Sequence, residues 1–374
     1  MFQGIGQQQS KGNNVQQYQV YKEKYQQAPW MHWPEAARSC TPEFAEDLQS
    51  AVDFYSFLQY LSFQQMEAVH RYAATRGVLL LGDLPILVSP DSVDVWAKPH
   101  LFNLQFDAGA PPDYYNRLGQ RWGFPIYNWD AMRTDQFQWW KERLRAIGTY
   151  ADLYRIDHVV GYFRIWAIPK DKEPQEGHFF PPHPSDWPKQ GREILEMMLT
   201  SSPLLPIAED LGTIPKEVRI SLKELGICST KVMRWERSWE EDGNFTPYNQ
   251  YDPLSLTTVS TPDSETLTLW WQKFPEEASA FAKFKQWHYT PELSLDHRKQ
   301  ILRDSHHTPS YFHINLLQET LALFPELIWP NPEDERINTP GTQLPTNWTY
   351  RFKPYVEEII SHPELAEAFQ QLIK

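Results

Sequence analysis

The sequence predicts an α/β fold of the (β/α)-barrel kind, and two observations carry that expectation. Short apolar runs alternate with helical patterns down the chain, and repeated βα alternation makes the strands parallel. Six such runs lie at 78–81, 153–156, 204–208, 230–235, 256–260 and 311–316. Acidic residues sit at or after the ends of four of them: Asp83, Asp157, Glu209 and Asp263. In a (β/α) barrel the active face is built at the C-terminal strand ends, whereas solvated surface charge has no reason to choose those positions.

Taken in order, residues 1–27 are rich in Gln and poor in aliphatics, which predicts a flexible arm. Thr41-Pro42-Glu43 reads as an N-cap with proline at the first helical position. Phe44, Leu48, Ala51, Tyr55 and Leu58, then Phe63, Met66, Val69 and Ala73, keep helical spacing up to Gly77. A helix over 42–76 follows, with a break near Leu61, inside a helical segment 28–76 inserted in the barrel, whose catalytic part, strands three to eight, runs over 77–374. Val78-Leu79-Leu80-Leu81 is apolar throughout, as in a strand buried on both faces, and runs into Gly82-Asp83-Leu84-Pro85. The stretch with Pro111-Pro112-Asp113-Tyr114-Tyr115 and Gly119-Gln120-Arg121-Trp122-Gly123 is too long for a simple connector, and a functional loop is expected. Phe137, Trp140, Leu144 and Ile147 mark an amphipathic helix leading into the 153–156 strand. Residues 169–190 read as a loop, and 194–199 as a helix. A Pro215-started helix with a Gly226 stop precedes the 230–235 strand. Helical material is expected over 264–304 and near 354–372.

The composition narrows the function. A net charge of −13 without a basic stripe argues against nucleic acid. No apolar run has the length of a membrane span, and the glutamine-rich start is unlike a signal peptide. Cys40 and Cys228 alone, without metal-ligand spacing, suggest a reducing, cytoplasmic setting. The 16 Trp, 18 Tyr and 20 Phe suit a site that stacks sugar rings, though a large aromatic core uses the same residues.

The chemistry centres on Leu153-Tyr154-Arg155-Ile156-Asp157-His158. Arg155, two residues before Asp157, points to the same strand face and holds that carboxylate ionised. The plainer alternative is a strand-end ion pair. Three carboxylates with an arginine and no metal-binding cluster suit glycosidic bond cleavage, which in its retaining form needs a nucleophile and an acid/base about 5 Å apart. Asp157 fits the nucleophile. Glu209 fits the acid/base, with Asp210 beside it raising its pKa as a like charge. Asp263 would orient sugar hydroxyls, and His158 would donate to one or serve only structurally.

These residues resemble the 4-α-glucanotransferases, or amylomaltases, of the α-amylase superfamily of (β/α)8 TIM barrels. The motifs stand in the family's order over about residues 25–352: Gly82-Asp83-Leu84-Pro85-Ile86 with Asp91-Ser92-Val93-Asp94-Val95-Trp96; Pro111 to Tyr115 with Gly119-Gln120-Arg121-Trp122-Gly123; Arg155-Ile156-Asp157-His158; Ala208-Glu209-Asp210-Leu211-Gly212; and Arg336-Ile337-Asn338 with Pro340-Gly341-Thr342 and Asn347-Trp348. The resemblance implies that Asp157 is the nucleophile, Glu209 the general acid/base and Asp263 the transition-state stabiliser. It implies that Arg155 and His158 contact the donor sugar, that Asp113, Tyr114, Gln120 and Trp122 shape the glucan groove, and that Asn338 lies near it. It further implies transfer of a 4-α-glucan segment between malto-oligosaccharides, or starch- and glycogen-derived glucans, with no metal or organic cofactor.

The chain departs from the family's pattern in three respects. Thr261-Pro262-Asp263-Ser264-Glu265-Thr266 has proline where the family usually has histidine, and Ser264 and Glu265 where it has Asn and Asp. Proline brings no side-chain donor. Phe124 and Val160 replace residues that are commonly polar. The family carries two barrel strands before the region matched here, so a barrel lacking its first two strands is expected. Two other readings stay open: a catalytically impaired, truncated glucan-binding fragment, and a hydrolase of the α-amylase type.

Overall fold

The computed structural model describes residues 14–39, 48–112, 117–238, 243–342 and 344–374. Its strands, in chain order, are β1 (Leu81–Leu84), β2 (Phe102–Ala110), β3 (Gln120–Tyr127), β4 (Leu153–Ile156), β5 (Ile165–Pro169), β6 (His178–Phe180), β7 (Leu205–Ala208), β8 (Ser229–Val232), β9 (Ser255–Thr258) and β10 (Phe312–His313). The chain divides into two compact units, Met1–Glu209 with Ile214–Ser221 and Asp210–Thr213 with Leu222–Lys374.

In the first unit β4 lies between β1 and β7, and both pairings are parallel. The register sets Asp83 opposite Arg155 and Arg155 opposite Ile207. Directly opposed residues of neighbouring strands project to one face, so this register brings the Asp83 and Arg155 side chains together. Asp152 sets where β1 begins: its Oδ2 accepts from the Leu80 N–H, while its own N–H donates to the Leu80 carbonyl. The expected strand at 78–81 is therefore displaced to Leu81–Leu84, with Asp83 inside it. Val78, Leu79 and Leu81 are exposed, so burial on both faces is not what their apolar character reflects.

A second sheet in this unit is antiparallel, in the order β3-β2-β5-β6. Its strands occupy stretches expected to be loop: β2 and β3 flank the Pro111 region, and β6 falls within 169–190. Gly109 is essential to the β2–β3 pairing, because a Cβ there would sit 1.9 Å from the Gln120 carbonyl oxygen. Behind the sheets, Trp139, Trp140, Leu144 and Ile147 are the buried face of the expected amphipathic helix, Gln138–Ile147. Trp140 packs with Tyr127, Trp129 and Tyr162 at ring separations of 5.3 to 6.2 Å.

The flexible arm needs correction. Residues 1–13 lie outside the described residues, but Asn14–Lys24 is a helix. Its Tyr18 and Tyr21, with Tyr25 just past its end, recur at helical spacing and pack on Trp33, and Tyr18 and Tyr21 also reach Trp96. Asp91 pins it, accepting from the Tyr18 hydroxyl at 2.9 Å and the Lys22 ammonium at 2.8 Å. The Thr41-Pro42-Glu43 cap lies outside the described residues. The helix Gln49–Thr75 runs through Leu61 without a break. Along it Val52 and Ala73 are buried, while Phe54, Phe57, Leu58, Leu61, Met66, Val69 and Tyr72 are exposed.

The second unit holds the parallel sheet β10-β9-β8. Its strands fall at or near the expected 230–235, 256–260 and 311–316, each shorter than expected. The expected helical region 264–304 is three helices, Leu267–Lys273, Pro275–Phe284 and Leu295–His306. Trp270, Trp271, Phe281, Ile301 and Leu302 form their shared core with Met233 and Val259. Among the described residues no helix is long and apolar enough to cross a membrane.

Replacing Gly109 by Ala should cost about 1–3 kcal/mol, because a backbone carbonyl must yield to the new methyl. Denaturant unfolding checks this, and a wild-type midpoint would show that β2 and β3 are not held so closely.

Candidate active site

Arg155, the third residue of β4, places one guanidinium among three carboxylates. Its Nη1 lies 2.9 Å from Asp157 Oδ1 and 3.0 Å from Asp83 Oδ1, and its Nη2 lies 3.6 Å from Glu209 Oε2. Asp83 comes from β1, Asp157 follows β4 directly and Glu209 follows β7 directly, so three adjacent parallel strands deliver the cluster. Asp83 is 56% exposed at its side chain, against 27% for Asp157 and 15% for Glu209. The sequence marked Asp83 as a strand-end carboxylate without a role; the register gives it one, as the outer partner of Arg155.

Backbone amides complete the arrangement. The Ile86 N–H donates to Asp157 Oδ2 at 3.1 Å, and the His158 N–H donates to Glu209 Oε2 at 2.8 Å. His158 has φ 43°, a left-handed conformation that is rare for a non-glycine residue and typical of functional turns. The β4–β7 ladder extends beyond the strand ends, with the Glu209 N–H donating to Ile156 O and the Val159 N–H to Glu209 O. Both amide donors escaped sequence reasoning, since a backbone N–H carries no residue signature.

The electrostatics separate the two inner carboxyls. Burial opposes the Arg155 charge, but Asp157, Asp83 and Glu209 outweigh it and push the guanidinium pKa up, keeping it charged. Asp157 therefore faces a permanent cation at 2.9 Å. Burial pushes the Glu209 carboxyl up, and Asp157 adds to the rise against the opposing His158 and Arg155. The expected direction is met with a different cause: Asp210, named as the like charge, instead accepts from the Thr230 N–H at 2.8 Å. The first unit thus sets one carboxyl next to a cation and, beside it, a buried carboxyl whose pKa is raised.

Of the expected sugar contacts, the structure brings His158, Trp122 and Gln120 together. The Trp122 and His158 rings meet edge to face at 5.1 Å, and the Trp122 indole N–H donates to Gln120 Oε1 at 3.1 Å. Asp113 and Tyr114 lie outside the described residues.

In the second unit Asp263 lies in the loop after β9 and pairs with another expected residue. Asn338 Nδ2 donates to Asp263 Oδ1 at 2.7 Å, and the Asn338 N–H donates to the Pro262 carbonyl at 3.1 Å. Arg336 Nε donates to the Asn338 carbonyl, while its Nη1 pairs with Glu265. Pro262 thus serves through its carbonyl, a group that proline shares with every residue. Ser264 Oγ accepts from the Thr261 N–H at 2.9 Å and closes the turn that carries Asp263.

The chain matches the family described as 4-alpha-glucanotransferase over residues 5–357. It is similar to the 4-alpha-glucanotransferase of Chlamydia muridarum, at 50% identity over 86% of this chain and 60% of that protein. It is likewise similar to that of Chlamydia trachomatis, at 45% identity over 95% of this chain and 67% of that protein. The chain thus spans about three-fifths to two-thirds of the length of these curated relatives. Its fold is like that of the amylomaltase from Streptococcus agalactiae solved in complex with acarbose, with TM-score 0.77 and 24% identity over 96% of this chain and 71% of that one. The amylomaltase from Corynebacterium glutamicum gives TM-score 0.77 at 22% identity, over 100% of this chain and 56% of that one.

The raised Glu209 carboxyl has a consequence for stability. A group whose pKa is higher folded than unfolded stabilises fully below its unfolded value and loses that contribution as pH rises through the folded value. Glu209→Gln should therefore melt close to wild type at about pH 4 and above it at about pH 8. A wild-type advantage that grows with pH would contradict the direction.

Proposed function

We propose that this chain, which belongs to the 4-alpha-glucanotransferase family, transfers a segment of an α-1,4-glucan to another glucan or to glucose by a retaining double displacement. The observation that carries the reading is the Arg155 cluster, which pairs a carboxylate beside a cation with a buried carboxyl of raised pKa. Retaining glycosyl transfer needs that pair of states at neutral pH.

In this reading an Asp157 carboxylate oxygen attacks the anomeric carbon. The bond from that carbon to the glycosidic oxygen breaks, and Glu209 gives its proton to the departing 4-oxygen. The resulting glycosyl ester is neutral at Asp157 and leaves Glu209 ionised. A 4-hydroxyl of an acceptor glucan then attacks the same carbon, Glu209 takes its proton, and the bond to Asp157 breaks. Two inversions restore the α configuration. Arg155, 2.9 Å from Asp157 Oδ1, steadies that carboxylate before attack and again as it departs. Asp263 takes the stabilising role that the family resemblance gives it, set by the amide of Asn338. His158, Gln120 and Trp122 would contact the sugar chain, as would Asp113 and Tyr114.

The substrates on this reading are malto-oligosaccharides and starch- or glycogen-derived glucans. The Trp122–His158 edge supports them, since an aromatic ring beside a polar ring suits the apolar face and hydroxyl rim of glucose. A cytoplasmic setting in glycogen and maltodextrin metabolism fits the two-cysteine composition.

Incubation with maltotriose should yield glucose and longer oligosaccharides with little net gain of reducing ends. Asp157→Asn should lower turnover by roughly 10³-fold or more. Chiefly hydrolytic products would point to water as the acceptor, and wild-type turnover in Asp157→Asn would remove the nucleophile assignment.

A further inference from the structure

The amide that holds Asp157 is itself held from behind. Ile86 N–H, the donor to Asp157 Oδ2, belongs to the same peptide group as the Pro85 carbonyl. Arg143 Nη2 donates to that carbonyl at 2.7 Å. The Arg143 guanidinium lies over the rings of Trp139 and Trp140, 4.7 Å from each centroid, so it is fixed by stacking. The next carbonyl, that of Ile86, accepts from the buried Tyr127 hydroxyl. Burial pushes the Tyr127 phenol pKa up, so it remains a protonated donor.

We propose that Arg143 is a positioning residue for Asp157, acting through the Pro85–Ile86 peptide group, with Tyr127 as its second anchor. The inference rests on Asp157 being the nucleophile. A cation donating to a peptide oxygen draws electron density away from the nitrogen and makes the N–H a stronger donor, as in any cooperative hydrogen-bond chain. Arg143 thereby extends its charge to Asp157 Oδ2, while Arg155 acts on Oδ1. Both carboxylate oxygens are then held, and the nucleophile meets the anomeric carbon in one orientation. The other charged and titratable groups around Asp157 are Asp83, Glu209, His158, Tyr127 and Tyr162.

The test uses α-maltotriosyl fluoride as donor with saturating acceptor, since fluoride leaves without the Glu209 proton, so that formation of the glycosyl ester limits kcat and the rate reports on Asp157. Arg143→Met keeps an apolar stem against Trp139 and Trp140 but loses the donor. It should lower kcat by about five- to tenfold with little change in KM. Without the cation on the Pro85 carbonyl the Ile86 N–H is a weaker donor and holds Asp157 Oδ2 less firmly, so the acid limb of the kcat profile should move up by about half a pH unit. Arg143→Lys retains a cationic donor and should recover most of both effects. Tyr127→Phe keeps the ring and should shift the same limb in the same direction, and it decides the matter if Arg143→Met does not fold. Wild-type kcat and acid limb in the donor-less variants would overturn the proposal, as would an Arg143→Lys enzyme no better than Arg143→Met. Asp157→Asn run alongside separates the two failures: if it stays active, the nucleophile assignment falls; if it is dead while the other variants behave as wild type, only the role of Arg143 falls.

Discussion

Arg155 carries one positive charge and faces three carboxylates, at 2.9, 3.0 and 3.6 Å. At the effective dielectric of a partly buried site, unit charges about 4 Å apart interact by roughly 4 kcal/mol. One guanidinium cannot offset three carboxylates equally at that scale, so exposure and hydrogen bonding set the share each receives. Water takes part of the burden at Asp83, which is more than half exposed. Asp157 has the shortest ion pair and the Ile86 amide. Glu209 is the most buried and has the longest contact to Arg155, and burial pushes its carboxyl pKa up. The proposed glycosyl transfer would draw on these unequal shares of one cation. Removing Arg155 would leave like charges facing one another; for fully buried pairs such a loss costs about 3–5 kcal/mol, and less is expected here because Asp83 reaches water.

The backbone makes that sharing possible. Parallel pairing sets Asp83 opposite Arg155, so β1 supplies the outer carboxylate. The left-handed turn at His158 lies beside the N–H that Glu209 accepts, and the β4–β7 ladder continues through Val159 and Glu209. Pro85-Ile86, the first residues after β1, turns an amide toward Asp157. Asp157 and Glu209 are thus placed by strand ends and oriented by a backbone amide, a sturdier arrangement than one of long side chains alone.

Much of this was legible in the sequence. Arg155, Asp157 and Glu209 were found because charge following directly on an apolar run is costly unless it is used. Parallel pairing was found because βα alternation permits little else. The misses have physical causes. Val78 and Leu79 are apolar but exposed, and hydrophobicity alone does not reveal whether a strand has a neighbour. In β2, Phe102, Leu104, Phe106 and Ala108 alternate as a strand should, but the Pro and Gly of the following turn suggested loop. The helix Asn14–Lys24 was hidden by glutamine, although its tyrosines recur at helical spacing. For Glu209, Asp210 was named as the charge that raises its pKa because it is adjacent in sequence. Burial and Asp157 do so instead, and both follow from tertiary structure.

The central claim, that the carboxylate beside Arg155 is the one that bonds to sugar, is tested most directly by trapping it. A 5-fluoro-α-glucosyl fluoride should form a glycosyl ester that hydrolyses slowly, and mass spectrometry of the digested chain should place the added sugar on the peptide containing Asp157. A sugar on a peptide containing Asp83 or Glu209 instead, or rapid turnover of maltotriose with no trapped ester under the same conditions, would contradict the account.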